Sequence, residues 1–133
     1  MPRAIATLLG LVLPLGIASS AAAADEAKVT PLARQALPDL GSKEGLVLTV
    51  EYRPGQSSAA HRHNAHTFVY VLQGAVMMGV NGRPPVRLEA GQTFYEAPGD
   101  VHTESRNASD SVPAKFVVVM IKEKDAPPTV PAK

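Results

Sequence analysis

The sequence predicts an all-β protein, and three observations carry that prediction. Short apolar or alternating runs recur from residue 46 to residue 122. Gly- and Pro-containing turn signals separate them, and no segment beyond residue 24 has strong helical periodicity. Many short strands punctuated in this way suggest a sandwich or a small barrel.

Residues 46–52 alternate, with Leu46, Leu48, Val50 and Tyr52 on one face and Val47, Thr49 and Glu51 on the other, and Pro54-Gly55 ends the run. Residues 67–72 and 75–80 are β-branched or apolar and are divided by Gln73-Gly74. Asn81-Gly82 is a two-residue hairpin signal, because both positions tolerate positive φ, and Pro84-Pro85 interrupts pairing just after it. Residues 86–89, 92–96, 101–106 and 115–122 complete the strands, with Ala90-Gly91 and Pro98-Gly99 as turns. Residues 116–121 are apolar on both faces, so one face should line the core while the other needs cover from a second sheet or a partner chain. A homodimer is expected on that ground. The barrel is expected to occupy residues 45–122. Residues 25–44 read as an N-terminal extension with a short strand or turn, Pro31 and Pro38 leaving space for a helical turn or two at most. Residues 123–133, with Pro127, Pro128 and Pro131, read as a mobile tail.

The first 24 residues are expected to be a cleaved secretory signal peptide. Arg3 supplies a positive charge, residues 4–17 carry none and are rich in Leu, Ile, Val and Ala, and a run of small residues ends at Ala24. A spanning helix needs roughly 20 apolar residues, whereas this run is shorter and is broken by Gly10, Pro14 and Gly16. A periplasmic or secreted location follows as an expectation, with no membrane partner once the signal is removed.

Composition narrows the function. Lys+Arg is 13 and Asp+Glu is 12, a net charge of +1, so a basic nucleic-acid-binding surface is disfavoured. There is no Cys, which excludes disulfides, zinc–thiolate sites and a cysteine nucleophile, and any metal must be held by His, carboxylate or hydroxyl groups.

The chain has four histidines, and His61, His63 and His66 fall within six residues; the fourth is His102. On a strand, residues two apart share a face, so His61 and His63 can reach one ion. Imidazole suits Zn, Fe, Cu and Ni. His102, opening a later strand after the Pro98-Gly99 turn, is the candidate third ligand. His66 joins the set only if a turn or bulge at Asn64-Ala65 resets the alternation; it would then be a fourth ligand or a base.

The spacing of these residues resembles the cupin family. Its first motif, G-x5-H-x-H-x3,4-E-x6-G, is matched by Gly55, His61, His63 and Gly74; its second, G-x5-P-x-G-x2-H-x3-N, by Gly91, Gly99 and His102. Sixteen residues separate Gly74 from Gly91. Three positions depart from the pattern. Thr67 stands at the glutamate position, Ala97 stands at the proline position with Pro98 after it, and Arg106 stands one residue before Asn107 at the asparagine position.

The resemblance implies a double-stranded β-helix (jelly-roll barrel) and one divalent metal ion (Fe, Mn, Ni, Cu or Zn) on His61, His63 and His102. It also implies a small-molecule ligand or substrate, as in cupin dioxygenases and isomerases. A three-histidine site offsets none of the ion's charge and would favour an anionic ligand. By strand alternation Glu104 shares the face of His102, and is the candidate for the missing carboxylate, as a ligand or a catalytic base. Tyr70, Met77, Met78, Phe94 and Phe116 are candidate pocket walls. A non-catalytic small-molecule or metal-binding module is the alternative function.

Overall fold

A computed structural model describes residues 26–133; the expected signal segment lies outside them. The described residues form ten strands and one short 3-10 turn, Pro38–Leu40. The strands are β1 Lys28–Leu37, β2 Lys43–Tyr52, β3 His61–Arg62, β4 His66–Gln73, β5 Ala75–Val80, β6 Val86–Glu89, β7 Thr93–Glu96, β8 His102–Asn107, β9 Ala114–Glu123 and β10 Val130–Pro131. They make two five-stranded antiparallel sheets, ordered β1-β2-β9-β4-β7 and β10-β3-β8-β5-β6. This is the expected jelly-roll barrel.

The inner faces supply the core. The alternation in β2 buries Leu46, Leu48 and Tyr52, and β9 buries Phe116, Val118 and Met120, as period-two patterning requires. Val71 and Val76, at the ends of β4 and β5 next to the Gln73-Gly74 turn, are fully enclosed. Val117, Val119 and Ile121 are partly covered on the outside of the first sheet, so β9 is apolar on both faces.

Three expectations are corrected and one turn is as expected. The N-terminal extension contains a full ten-residue strand, β1, and its one short turn is the 3-10 turn that follows. Pro31 is tolerated because β1 is an edge strand, and Leu32 is the extra residue where the register shifts between Pro31 and Ala33. The Pro-rich tail is tied down: Val130 pairs with Arg62 and Pro131 with His61, and Ala132 N donates to Ala60 O. Asn81 and Gly82 make the expected two-residue turn, both at positive φ with Arg83 N donating to Val80 O. The β5–β6 ladder reaches only Met78↔Val86, because Pro84-Pro85 cannot continue it, and Gly79 and Val80 pair with β8 instead.

The third correction bears on the site. Gly79 pairs with Glu104 and Val80 with His102, so Thr103 is an extra residue in β8. Thr103 Oγ1 holds this bulge by accepting from Gly82 N and donating to Gly79 O. The bulge reverses the alternation. His102, Ser105 and Asn107 face inward, and Glu104 faces outward.

Gly74 shows how tightly the turn between β4 and β5 is held. Its φ is +69°, and a Cβ there would lie 2.4 Å from Pro113 O. Gly74→Ala should therefore cost more than about 1 kcal/mol, seen as a lower urea midpoint at unchanged m-value. An unchanged midpoint would contradict this packing.

Candidate metal centre

The pairing of β3 with β8 sets His61 directly opposite His102, and His63 follows on the same side of the chain. Asn64, at φ +48°, then turns the chain out of the β3 sheet and into β4 of the other sheet. One ligand atom from each of His61, His63 and His102 lies within 4.8 Å of the others. The sequence-predicted trio is thus brought together.

The hydrogen bonds fix the tautomers of two of them. His61 Nδ1 lies 2.8 Å from Ala59 O, and His63 Nδ1 lies 2.8 Å from Pro128 O. A carbonyl can only accept, so both Nδ1 atoms carry the proton and both Nε2 atoms of the neutral rings present lone pairs. Those two Nε2 atoms face each other at 3.2 Å. Two bare lone pairs at that distance repel, and a cation between them removes the repulsion. Donors about 2.0–2.2 Å from one ion sit about 3–3.5 Å apart, so the spacing fits a metal. His102 is 3% exposed, and neither ring nitrogen makes an aligned hydrogen bond among the described residues. Phe94 stacks against it at 6.2 Å.

Glu96, not the candidate Glu104, is the carboxylate that lies beside the histidines. It ends β7, is 2% exposed, and neither carboxylate oxygen has a hydrogen-bond partner among the described residues. Its Oε2 lies 3.3 Å from His102 Nδ1 and 3.7 Å from His63 Nε2. The signal that could have found it is its place opposite Thr67: the two are Cα partners across the β4–β7 ladder.

The other candidates lie elsewhere. The Asn64 turn does not bring His66 inward: Thr67, not His66, is the buried residue, and His66 is exposed with Nδ1 2.7 Å from Tyr95 Oη. Glu104 turns away at the Thr103 bulge and pairs with Arg106 Nε at 2.7 Å. Met78 and Phe116 do line the cavity, whereas Tyr70 is exposed on the outer face and Met77 points away from the core.

The histidines and Glu96 open into a cavity of about 610 Å³ within the barrel. Leu48, Val50, Met78, Phe116, Val118 and Met120 form its apolar wall, and no Lys or Arg among the described residues lines it. Tyr52 Oη supplies a polar spot, hydrogen-bonded to Ser58 Oγ at 2.6 Å and Ser105 Oγ at 2.8 Å. Both ends of the described residues line the cavity too, through Ala27 and Val29 on one side and Pro128, Thr129 and Pro131 on the other. A shallower depression on the outer face, lined by Phe68, Tyr70, Tyr95, Val117 and Val119, contains no metal-ligating group.

The comparisons agree with this architecture. A family model described as "Cupin domain" matches residues 48–120, more than half of the chain, and the chain belongs to the cupin family. A double-stranded β-helix protein from Klebsiella pneumoniae is similar at 21% identity and a TM-score of 0.65, over 84% of this chain and 89% of that one. Oxalate oxidase in complex with the substrate analogue glycolate is similar at 22% identity and a TM-score of 0.60, over 78% of this chain and 54% of that one. The DMSP lyase DddQ from Ruegeria pomeroyi is similar at 22% identity and a TM-score of 0.59, over 66% of this chain and 43% of that one. The chain thus spans about half or less of the length of these two enzymes. No curated protein matches the chain.

Burial sets the protonation of the metal-free site. Desolvation lowers His63 to about 4, and desolvation together with the neighbouring His61 and His63 lowers His102 to about 3. Desolvation, helped by Asp100, raises Glu96 to about 7. For both imidazoles the folded value lies below the unfolded one. The unfolded chain therefore binds up to two more protons there as pH falls below about 6.5, and stability falls with it. Glu96 has the opposite sign, holding its proton in the folded state between about pH 4.5 and 7. The net excess in the unfolded chain is about one proton from pH 4.5 to 6.5, a slope of at most ~1.4 kcal/mol per pH unit. Urea titrations of metal-free protein should show stability rising across that window, and His102→Ala should flatten the rise. A flat wild-type profile would contradict two neutral buried imidazoles.

Proposed function

We propose that this cupin is exported and holds one divalent transition metal through His61, His63 and His102. We propose that it uses the ion as a metal-dependent enzyme of dioxygenase or isomerase type, acting on a small oxygen-containing organic molecule. The observation that carries the metal is the pair of Nε2 lone pairs, 3.2 Å apart, whose Nδ1 partners are both committed to carbonyls. The orphaned ring nitrogens of the buried His102 point the same way.

When bound, the ion would supply Lewis acidity and, if redox-active, one-electron chemistry. The chain's own groups do the rest. The apolar wall excludes water and receives a hydrocarbon portion, Tyr52 Oη offers a hydrogen bond, and the absence of Lys and Arg from the lining leaves substrate oxygens to be met at the histidines. The similarity to oxalate oxidase, whose complex holds glycolate, makes small oxygen-rich molecules a reasonable first set to try.

Expressed with its first 24 residues in a Gram-negative host, the periplasmic protein should begin at Asp25 by intact mass. It should carry about one equivalent of divalent transition metal by elemental analysis. His61→Ala and His102→Ala should each lose the metal while His66→Ala keeps it. Metal retained in both of the first two variants would refute the site.

We also propose a homodimer that covers the outer face of the first sheet, where Phe68, Tyr70 and Tyr95 are about half exposed beside Val117 and Val119. Sedimentation should give a dimer at micromolar concentration, reduced to monomer by Phe68→Glu. A monomeric wild type would refute it.

A further inference from the structure

We propose that Glu96 is the carboxylate ligand of this metal centre, supplied from β7 in place of the first-motif glutamate whose position Thr67 occupies. The inference rests on the reading that His61, His63 and His102 hold the ion. Thr67 and Glu96 are directly opposed across the β4–β7 ladder, and both are buried, at 0% and 2% exposure. Adjacent strands lie about 4.8 Å apart. A carboxylate moved across one ladder rung remains within a glutamate's reach of the same point.

The geometry supports that point. Glu96 Oε2 is 3.7 Å from His63 Nε2, the nitrogen left bare by the Pro128 hydrogen bond, and 3.3 Å from His102. Together with the 3.2 Å between His61 and His63, these separations suit donors around one ion. Among the described residues neither oxygen of Glu96 is hydrogen-bonded and no Lys or Arg lines the cavity, and Asp100 is already occupied by Asn81 Nδ2 and Ala97 N. Among the described residues no donor and no basic side chain meets this carboxylate, and a buried carboxylate so placed keeps its charge only where a cation meets it and otherwise takes up a proton. Thr67 Oγ1, also buried and unpartnered, cannot supply a negative charge in its stead.

The consequence is for the substrate. Three neutral imidazoles would leave the full charge of a divalent ion to be met by the ligand. With Glu96 bound, one positive charge remains, and the site suits a monoanionic or neutral oxygen donor better than a dianion.

The test moves the carboxylate back. Metal-free wild type, Glu96→Gln, Glu96→Ala and the double variant Glu96→Ala with Thr67→Glu are titrated with Co²⁺, following affinity and the visible absorption of the bound ion. Far-UV circular dichroism of each metal-free form checks folding, and Glu96→Gln, close in shape to wild type, serves if Glu96→Ala does not fold. Both single variants should bind at least about tenfold more weakly with an altered Co²⁺ spectrum, and Thr67→Glu should restore affinity and spectrum. If Glu96 only orients His102, affinity falls but the spectrum stays and Thr67→Glu rescues nothing, which overturns the proposal. Unchanged affinity in the single variants overturns it while leaving the three-histidine site intact. No Co²⁺ binding by wild type, matching His61→Ala, overturns both.

Discussion

The short ladder between β3 and β8, which puts His61 opposite His102, is the contact on which the rest of the centre depends. β3 is two residues long and carries little burial of its own, so its position is set by its neighbours. β8 holds it on one side and β10 on the other. The Thr103 bulge turns His102 toward it, and the Pro128 carbonyl orients the His63 ring that follows. A few hydrogen bonds at the ends of larger ladders thus do what a longer strand would otherwise do. The long ladders β1–β2–β9–β4 and β5–β8 supply the rigid frame on which these bonds are hung.

The same frame creates the electrostatics. Three imidazoles and a carboxylate are packed into an apolar bowl lined by Phe116, Val118 and Met120, with Phe94 stacked on His102. Burial takes solvent away from them, so His63 and His102 are held neutral and the carboxyl of Glu96 is held close to neutrality. A collection of desolvated donors without protein partners costs folding free energy, and it persists in folded proteins where something else supplies the missing interaction.

Most of the fold was legible because its signals are local. Two-residue alternation and Gly/Pro punctuation marked β2, β4, β5, β6 and β9 to within a residue or three, and motif spacing brought His61, His63 and His102 to one point. What escaped depends on partners distant in sequence. β1 contains Pro31, which argues against a strand unless one knows that the strand lies on an edge. β10 has two residues and exists because β3 offers a free side. Glu104 left its expected place because one inserted residue, Thr103, reverses the alternation, and nothing in the composition of β8 announces it. The carboxylate at Glu96 becomes visible only when β4 and β7 are laid side by side, a pairing that no periodicity encodes.

The tail that leans on His61 and His63 also determines where the polypeptide leaves the molecule. Ala132 is bonded to Ala60, one residue from His61, and Ala27 borders the same opening from the other terminus. A polyhistidine affinity handle fused after Lys133 would emerge beside the mouth of the bowl and contend with the native imidazoles for the same ion. Purification and metal analysis of this protein therefore call for a handle that carries no metal-binding side chains, or one removed by a protease beforehand.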